Sequence, residues 1–132
     1  MKSYQDVITF ANQEIEPQRL LFVFAKAELP EGATNKQIAE FERGEGGILT
    51  PSICVDKLPE EVPEFQHLID ESKETGFDWD IVFVAAMSGR GGVSPSSDEC
   101  LQPLKMMMQQ IQMGMISGFL AINREGIIVQ LS

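Results

Sequence analysis

The spacing of apolar residues changes several times along this chain of 132 residues, and each change marks an element. Tyr4, Val7, Ile8, Ala11 and Ile15 recur at helical spacing behind Ser3. Asp6 stands three residues after Ser3 as a capping partner, so the pattern predicts a first helix, ended by Pro17. Arg19 to Ala25 (RLLFVFA) is continuously apolar after its first residue. Its length and Phe/Val content predict a strand buried on both faces, as in parallel sheets covered by helices. Thr34 with Gln37 opens a short second helix that turns Ile38 and Phe41 inward, and Gly44, Gly46 and Gly47 close it. Ile48 to Val55 (ILTPSICV) reads as a second strand. Pro51 removes a ladder donor there, which puts the strand at a sheet edge or on a bulge.

Beyond Pro59 and Pro63, the stripe Phe65, Leu68, Ile69 and Ser72 predicts a third helix that stops at Gly76. Ile81 to Met87 (IVFVAAM) is the second continuous apolar strand. Leu101, Leu104, Met108, Ile111 and Met115 then repeat at +3, +4, +3 and +4, a fourth helix. Pro103 falls inside that repeat: either the helix starts near Gln102, or a separate first turn at Ser96–Cys100 meets it at a kink. Phe119–Ile122 and Ile127–Leu131 flank Asn123-Arg124-Glu125-Gly126, the spacing of a hairpin ending in a left-handed glycine. The order αβαβαβαββ predicts an α/β single-domain sandwich over residues 1–132, a mixed sheet of about five strands with four helices and a C-terminal β-hairpin. No repeat, low-complexity tract or long linker divides it. The strands beginning at Leu20 and Ile81 are expected side by side in the middle of the sheet.

Charge adds a second pattern. The chain holds 10 basic and 20 acidic residues, net −10, with 43% hydrophobic residues, a composition that argues against intrinsic disorder. Residues 1–80 carry 7 basic and 17 acidic side chains, and residues 81–132 carry 3 of each, so the whole excess lies in the first part. An acidic chain excludes nucleic acid as the main partner. The acidic part either attracts a basic partner or keeps the surface solvated. The stretch Pro103 to Ile122 has Lys105 as its only charge, yet Gln109, Gln110 and Gln112 rule against a membrane span. Two cysteines make no disulfide framework, and with one histidine they complete no zinc site. A reducing, cytoplasmic setting without a secretory leader is therefore expected, with no metal and no cofactor.

Ser88 to Glu99 (SGRGGVSPSSDE) follows a strong strand and precedes a helix. Strand carboxyl ends are where open α/β sheets bind ligands. Gly89, Gly91 and Gly92 would let backbone amides approach a phosphate, Arg90 would clamp it, and Ser88, Ser94, Ser96 and Ser97 would add hydroxyls. The loop lacks a Walker lysine and a G-x-G-x-x-G spacing. Asp98 and Glu99 suit the helix dipole better than an incoming anion, so a flexible capped loop is the competing reading.

Cys54 is expected buried and inert, and Cys100 in a first helical turn. His67 lies opposite the apolar stripe of its helix, and nothing brings it to either thiol. Glu60-Glu61, Asp70-Glu71 and Asp78…Asp80 fit a solvated face rather than an acid–base or metal site. Five of the seven methionines fall within residues 106–115. Met106 and Met113 project away from the inner stripe beside Gln110, with no acid nearby. An outer apolar pair of this kind suggests contact with a second copy or with a protein partner; gap-filling within the fold is the competing reading. A non-catalytic interaction or regulatory domain that self-associates is thus expected. The alternative is a binder of, or enzyme for, a small phosphorylated ligand at 88–97.

The stretches PQRLLFVFAKAELP (17–30), FERGEGGILTPSICVDKLPEE (41–61), DWDIVFVAAMSGRGG (78–92) and SGFLAINREG (117–126) resemble a family of small uncharacterised bacterial proteins of about this length. Its members are often labelled "ribonucleotide reductase subunit alpha". The resemblance carries no catalytic or binding residue onto this chain. The catalytic subunit of that reductase is a much larger barrel that needs a radical cysteine and a separate redox pair. With Cys54 and Cys100 alone and too short a chain for such a barrel, that activity is rejected.

Overall fold

The computed structural model describes residues 1–131. Helices α1 (Tyr4–Gln13), α2 (Asn35–Glu42), α3 (Phe65–Glu74) and α4 (Leu101–Gln112) alternate with strands β1 (Gln18–Glu28), β2 (Ile48–Lys57), β3 (Ile81–Ser88), β4 (Leu120–Ile122) and β5 (Ile128–Val129). The strands form one sheet in the spatial order β2-β1-β3-β4-β5. The α/β class, the element order and the closing hairpin are those expected. All four ladders run antiparallel, so the sheet has no parallel part. Continuous apolar strands report burial on both faces. Helices above and below supply that burial for antiparallel neighbours as well as for parallel ones.

β1 and β3 lie side by side at the centre, Phe22 opposite Val84 and Val23 opposite Phe83. Alternation along β1 sends Leu20, Phe22 and Phe24 to a core under α1 and α3, and Leu21, Val23 and Ala25 to a core under α4. The result is three layers, with two helices on one face and one on the other. β2 is the sheet margin, and its ladder skips Ser52 between Ile53 and Pro51. Pro51 is thus both at an edge and beside a bulge. At the other margin, Ile128 donates its amide to Lys2 O at 2.9 Å, and Ser3 bridges Ile127.

Local signals explain most boundaries. Asp6 accepts the Lys2 and Ser3 amides at 2.7 and 3.1 Å, and Thr34 and Gln37 exchange side-chain-to-backbone bonds at 2.8 and 3.2 Å. Three expectations need correction. α1 stops at Gln13, short of Ile15, which is 97% exposed. The buried stripe leading into α4 is Cys100, Leu104, Met107 and Ile111, with Met108 half-buried and Leu101 exposed. Met115 lies beyond the helix, because Gly114 at φ +78° takes the left-handed position that ends it. A 3-10 turn at Asp98–Cys100 precedes α4. Pro103 therefore sits in the first turn of α4, where no helical donor is lost. No helix among the described residues is long and apolar enough to cross a membrane.

Candidate functional site

The glycine loop continues β3 into a tight hairpin. Arg90 and Val93 exchange both backbone hydrogen bonds at 3.0 Å, and Gly91 and Gly92 between them take φ +59° and +81°. Both values are positive, as a two-residue turn of the mirror-image type demands. Gly89 donates its amide to Pro17 O at 2.8 Å, and a Cβ there would stand 2.1 Å from Val93 O. Gly89 is thus required by close approach of backbone to backbone.

Several of the groups expected for a phosphate already have partners. Gly92 gives its amide to the Glu16 carboxylate, 3.2 Å from each oxygen. Ser88 Oγ accepts from Gln18 Nε2 at 2.9 Å. Ser96 Oγ accepts the Glu99 amide at 3.2 Å while Glu99 accepts the Ser96 amide at 2.9 Å, a reciprocal cap that holds the Glu99 carboxyl below its usual range. Ser97 donates to both oxygens of Asp56 at 3.0 and 2.9 Å. Ser94 is half-buried. Arg90 is exposed and forms no ion pair among the described residues. The loop follows an antiparallel strand, so its place is the margin of a hairpin ladder rather than the crevice of a parallel sheet.

Sequence reasoning missed a polar network here. Arg19 donates from Nη1 to Asp56 at 2.8 Å and from Nε to Pro95 O at 2.7 Å, with each charged side chain 15% exposed. Together with Ser97 this ties β1, β2 and the loop at one end of the sheet. Its only sequence signal is a charge at the end of each apolar run, and the register that joins them is not local. The S-x-x-E cap at Ser96 and Glu99 was legible and marks the entry to α4.

The thiols are not activated. Cys54 is exposed on β2, against the expectation of burial, because a marginal strand has a neighbour on one side only. Partial burial and the Asp56 carboxylate push its thiol up. Cys100 is the buried one, and burial, then Asp56, raises it too. His67 is exposed at the start of α3, turned to the Glu64 backbone. The acid pairs are exposed, and Lys57 holds Glu71 at 2.8 Å. No three of the described His, Cys, Asp and Glu side chains gather where they could hold a metal ion.

The other candidate surface lies around α4. Met106 and Met113 are 50% and 68% exposed, and Gln110 between them is half-buried. Past the end of the helix, Met115 is 54% exposed and stands on the rim of a groove of about 830 Å³ over β3, β4 and β5. Phe83, Phe119, Ala121 and Val129 line it, and no lining residue is ionisable. A second hollow of about 930 Å³, bounded by Leu49, Ile81, Ile111 and Met113, continues from it across Gly114 and Leu131. The first groove offers apolar contact area and polarizable sulfur, whereas Lys26 and Asp80 stand on the wall of the second hollow. Comparison of the chain with protein-family models, with curated proteins and with solved structures finds no match.

Proposed function

We propose that this chain is a non-catalytic interaction or regulatory domain that self-associates through the α4 side of its sheet. The observation that carries this reading is the pair Met106, on α4, and Met113, at its C-cap, both at least half exposed beside a helix whose one charge is Lys105. Exposed methionines in an uncharged setting gain free energy when covered. The charge pattern favours a like partner at this place. Copies of net charge −10 repel wherever residues 1–80 face each other, and residues 81–132 are neutral. The reading draws further support from the two thiols, which burial and Asp56 push up, and from the Ser97 hydroxyl, which is committed to Asp56.

Sedimentation at micromolar concentration tests the reading. The wild type is expected to be dimeric, and Met106→Glu with Met113→Glu monomeric and still folded. A wild type that stays monomeric at about 100 µM overturns it. The alternative, a phosphorylated small ligand at Ser88–Ser97, draws its support from the exposed Arg90, which forms no ion pair among the described residues. Thermal-shift screening with nucleotides and sugar phosphates tests that alternative: a stabilising hit lost in Arg90→Ala favours it over self-association alone.

A further inference from the structure

Residues 29–47 leave the sheet at Glu28 and return to it at Ile48, and those two residues pair across β1 and β2. Among the described residues, every hydrogen bond and ion pair of this excursion is internal to it. Thr34 and Gln37 cap each other, and Ala33 donates its amide to Pro30 O. The amides of Arg43, Gly44 and Glu45 turn back onto α2, and Arg43 meets Glu45 at 3.7 Å. α2 is also the one described helix without a buried residue, and its half-buried Ile38 and Phe41 belong to neither core. The excursion is thus a unit that holds its own shape and is tied to the body through its two ends.

Both ends carry a glycine with room to turn. Gly32 and Gly44 take φ +72° and +78°, and a Cβ at either would meet nothing within 4 Å. Glycine passes between such conformations and ordinary ones at little cost, which suits a joint. Beside the second of these joints lies the hollow of about 930 Å³. Phe41 and Gly44 line it from the excursion, Ile111 and Met113 from the end of α4, and Leu49 and Ile81 from the sheet.

We propose that residues 29–47 are a lid that swings on Gly32 and Gly44 and closes over this hollow, with Phe41 leading. Ile38 and Phe41 stand one turn apart on one face of α2, so closure covers both at once. It also covers Met113, which is 68% exposed in the present arrangement. Burial of this apolar surface drives the motion. Its entropic cost is confined to the joints, because the bonds within the excursion already fix the rest.

Spin labels on two exposed positions test the lid. Lys36→Cys on α2 and Gln109→Cys on α4 carry the labels in a Cys54→Ser background, where the remaining Cys100 is buried. Double electron–electron resonance should read two distances, the shorter one from the closed lid. Phe41→Asp should abolish the shorter distance, because a carboxylate would have to enter apolar surroundings. Its thermal midpoint should stay close to that of the wild type, since Phe41 lies outside both cores. Gly44→Ala strains one joint without touching a neighbour and should change the ratio of the two populations. A single distance, narrow or broad, overturns the lid. Two distances that persist in Phe41→Asp overturn closure on the hollow. A ratio unmoved by Gly44→Ala overturns the joint, and that variant serves equally should Phe41→Asp fail to fold.

Discussion

On the side of the sheet covered by α1 and α3, Tyr4, Phe22, Phe24, Phe65 and Trp79 meet ring to ring, with centroids 5.0 to 6.3 Å apart. Arg124 lies 4.3 Å over the Trp79 ring, and Trp79 Nε1 donates to Ser72 Oγ at 2.9 Å. On the α4 side the fully buried set is Leu21, Val23, Ala25, Cys100, Leu104, Met107, Ile111 and Ala121, with Phe83 as its one aromatic. There α4 stands alone and packs over β1 and β2, while the surface over β3, β4 and β5 stays grooved. Two helices and five interlocking rings close one face. One helix and smaller side chains leave the other grooved. Dense aromatic packing and an open groove thus lie on opposite sides of one sheet.

The largest test of that division is core truncation on each face. Trp79→Ala, at a residue 2% exposed, should cost about 4 kcal/mol in urea unfolding. Met107→Ala, equally buried on the α4 side, should cost about 2–3 kcal/mol, because the side chain removed is smaller and leaves a smaller cavity. Equal losses would erase the contrast. Next in size is Gly89→Ala. A Cβ 2.1 Å from Val93 O forces the hairpin backbone apart, at about 2 kcal/mol by the same measurement. Phosphate-ligand screening of that variant should read as for the wild type if the glycine serves packing alone.

Asp56→Ala should fall below Gly89→Ala, at about 1–2 kcal/mol, since it strands Arg19 and frees Ser97 in a network that water still reaches. Chevron kinetics would place the loss mainly in faster unfolding if the network closes late.

How far the sequence alone reached follows from the range of each signal. Caps at Asp6 and at Thr34 with Gln37 act within four residues, and the expected helix starts stand there. The two continuous apolar strands were legible as central because burial on both faces leaves no polar alternation. Their relative direction was not, since nothing in Leu20–Ala25 or Ile81–Met87 distinguishes a parallel from an antiparallel neighbour. Helical periodicity put Leu101, which opens α4 on its exposed side, into the stripe, and carried the stripe past the helix end to Met115, although Gly114 marks the stop. The exposure of Met106 and Met113 was readable from their angle on the helix. The groove beside Met115 was not, because it forms from β3, β4 and β5 after the chain returns.

The smallest expected effect is electrostatic, and it compares the two helix starts. Asp6 opens α1 on the closed face, and its carboxyl is held low chiefly by the Lys2 and Ser3 amides. Glu99 precedes α4 on the open face and is held low chiefly by its bonds from Ser96. A depressed carboxyl binds its proton less readily folded than unfolded. Its contribution to stability is therefore complete above the ordinary carboxylate range and is lost as pH falls through the lowered folded value. Asp6→Asn and Glu99→Gln should each lower stability slightly across the neutral region and converge on the wild type at low pH, which shallows the acid limb of the stability–pH curve. Glu99 is exposed and Asp6 is only half-buried, so the two flattenings should be similar and small. A markedly steeper dependence on one of them would mean that the faces differ in electrostatics as well as in packing. Thermal melts of the two variants and the wild type across the acid range decide the matter.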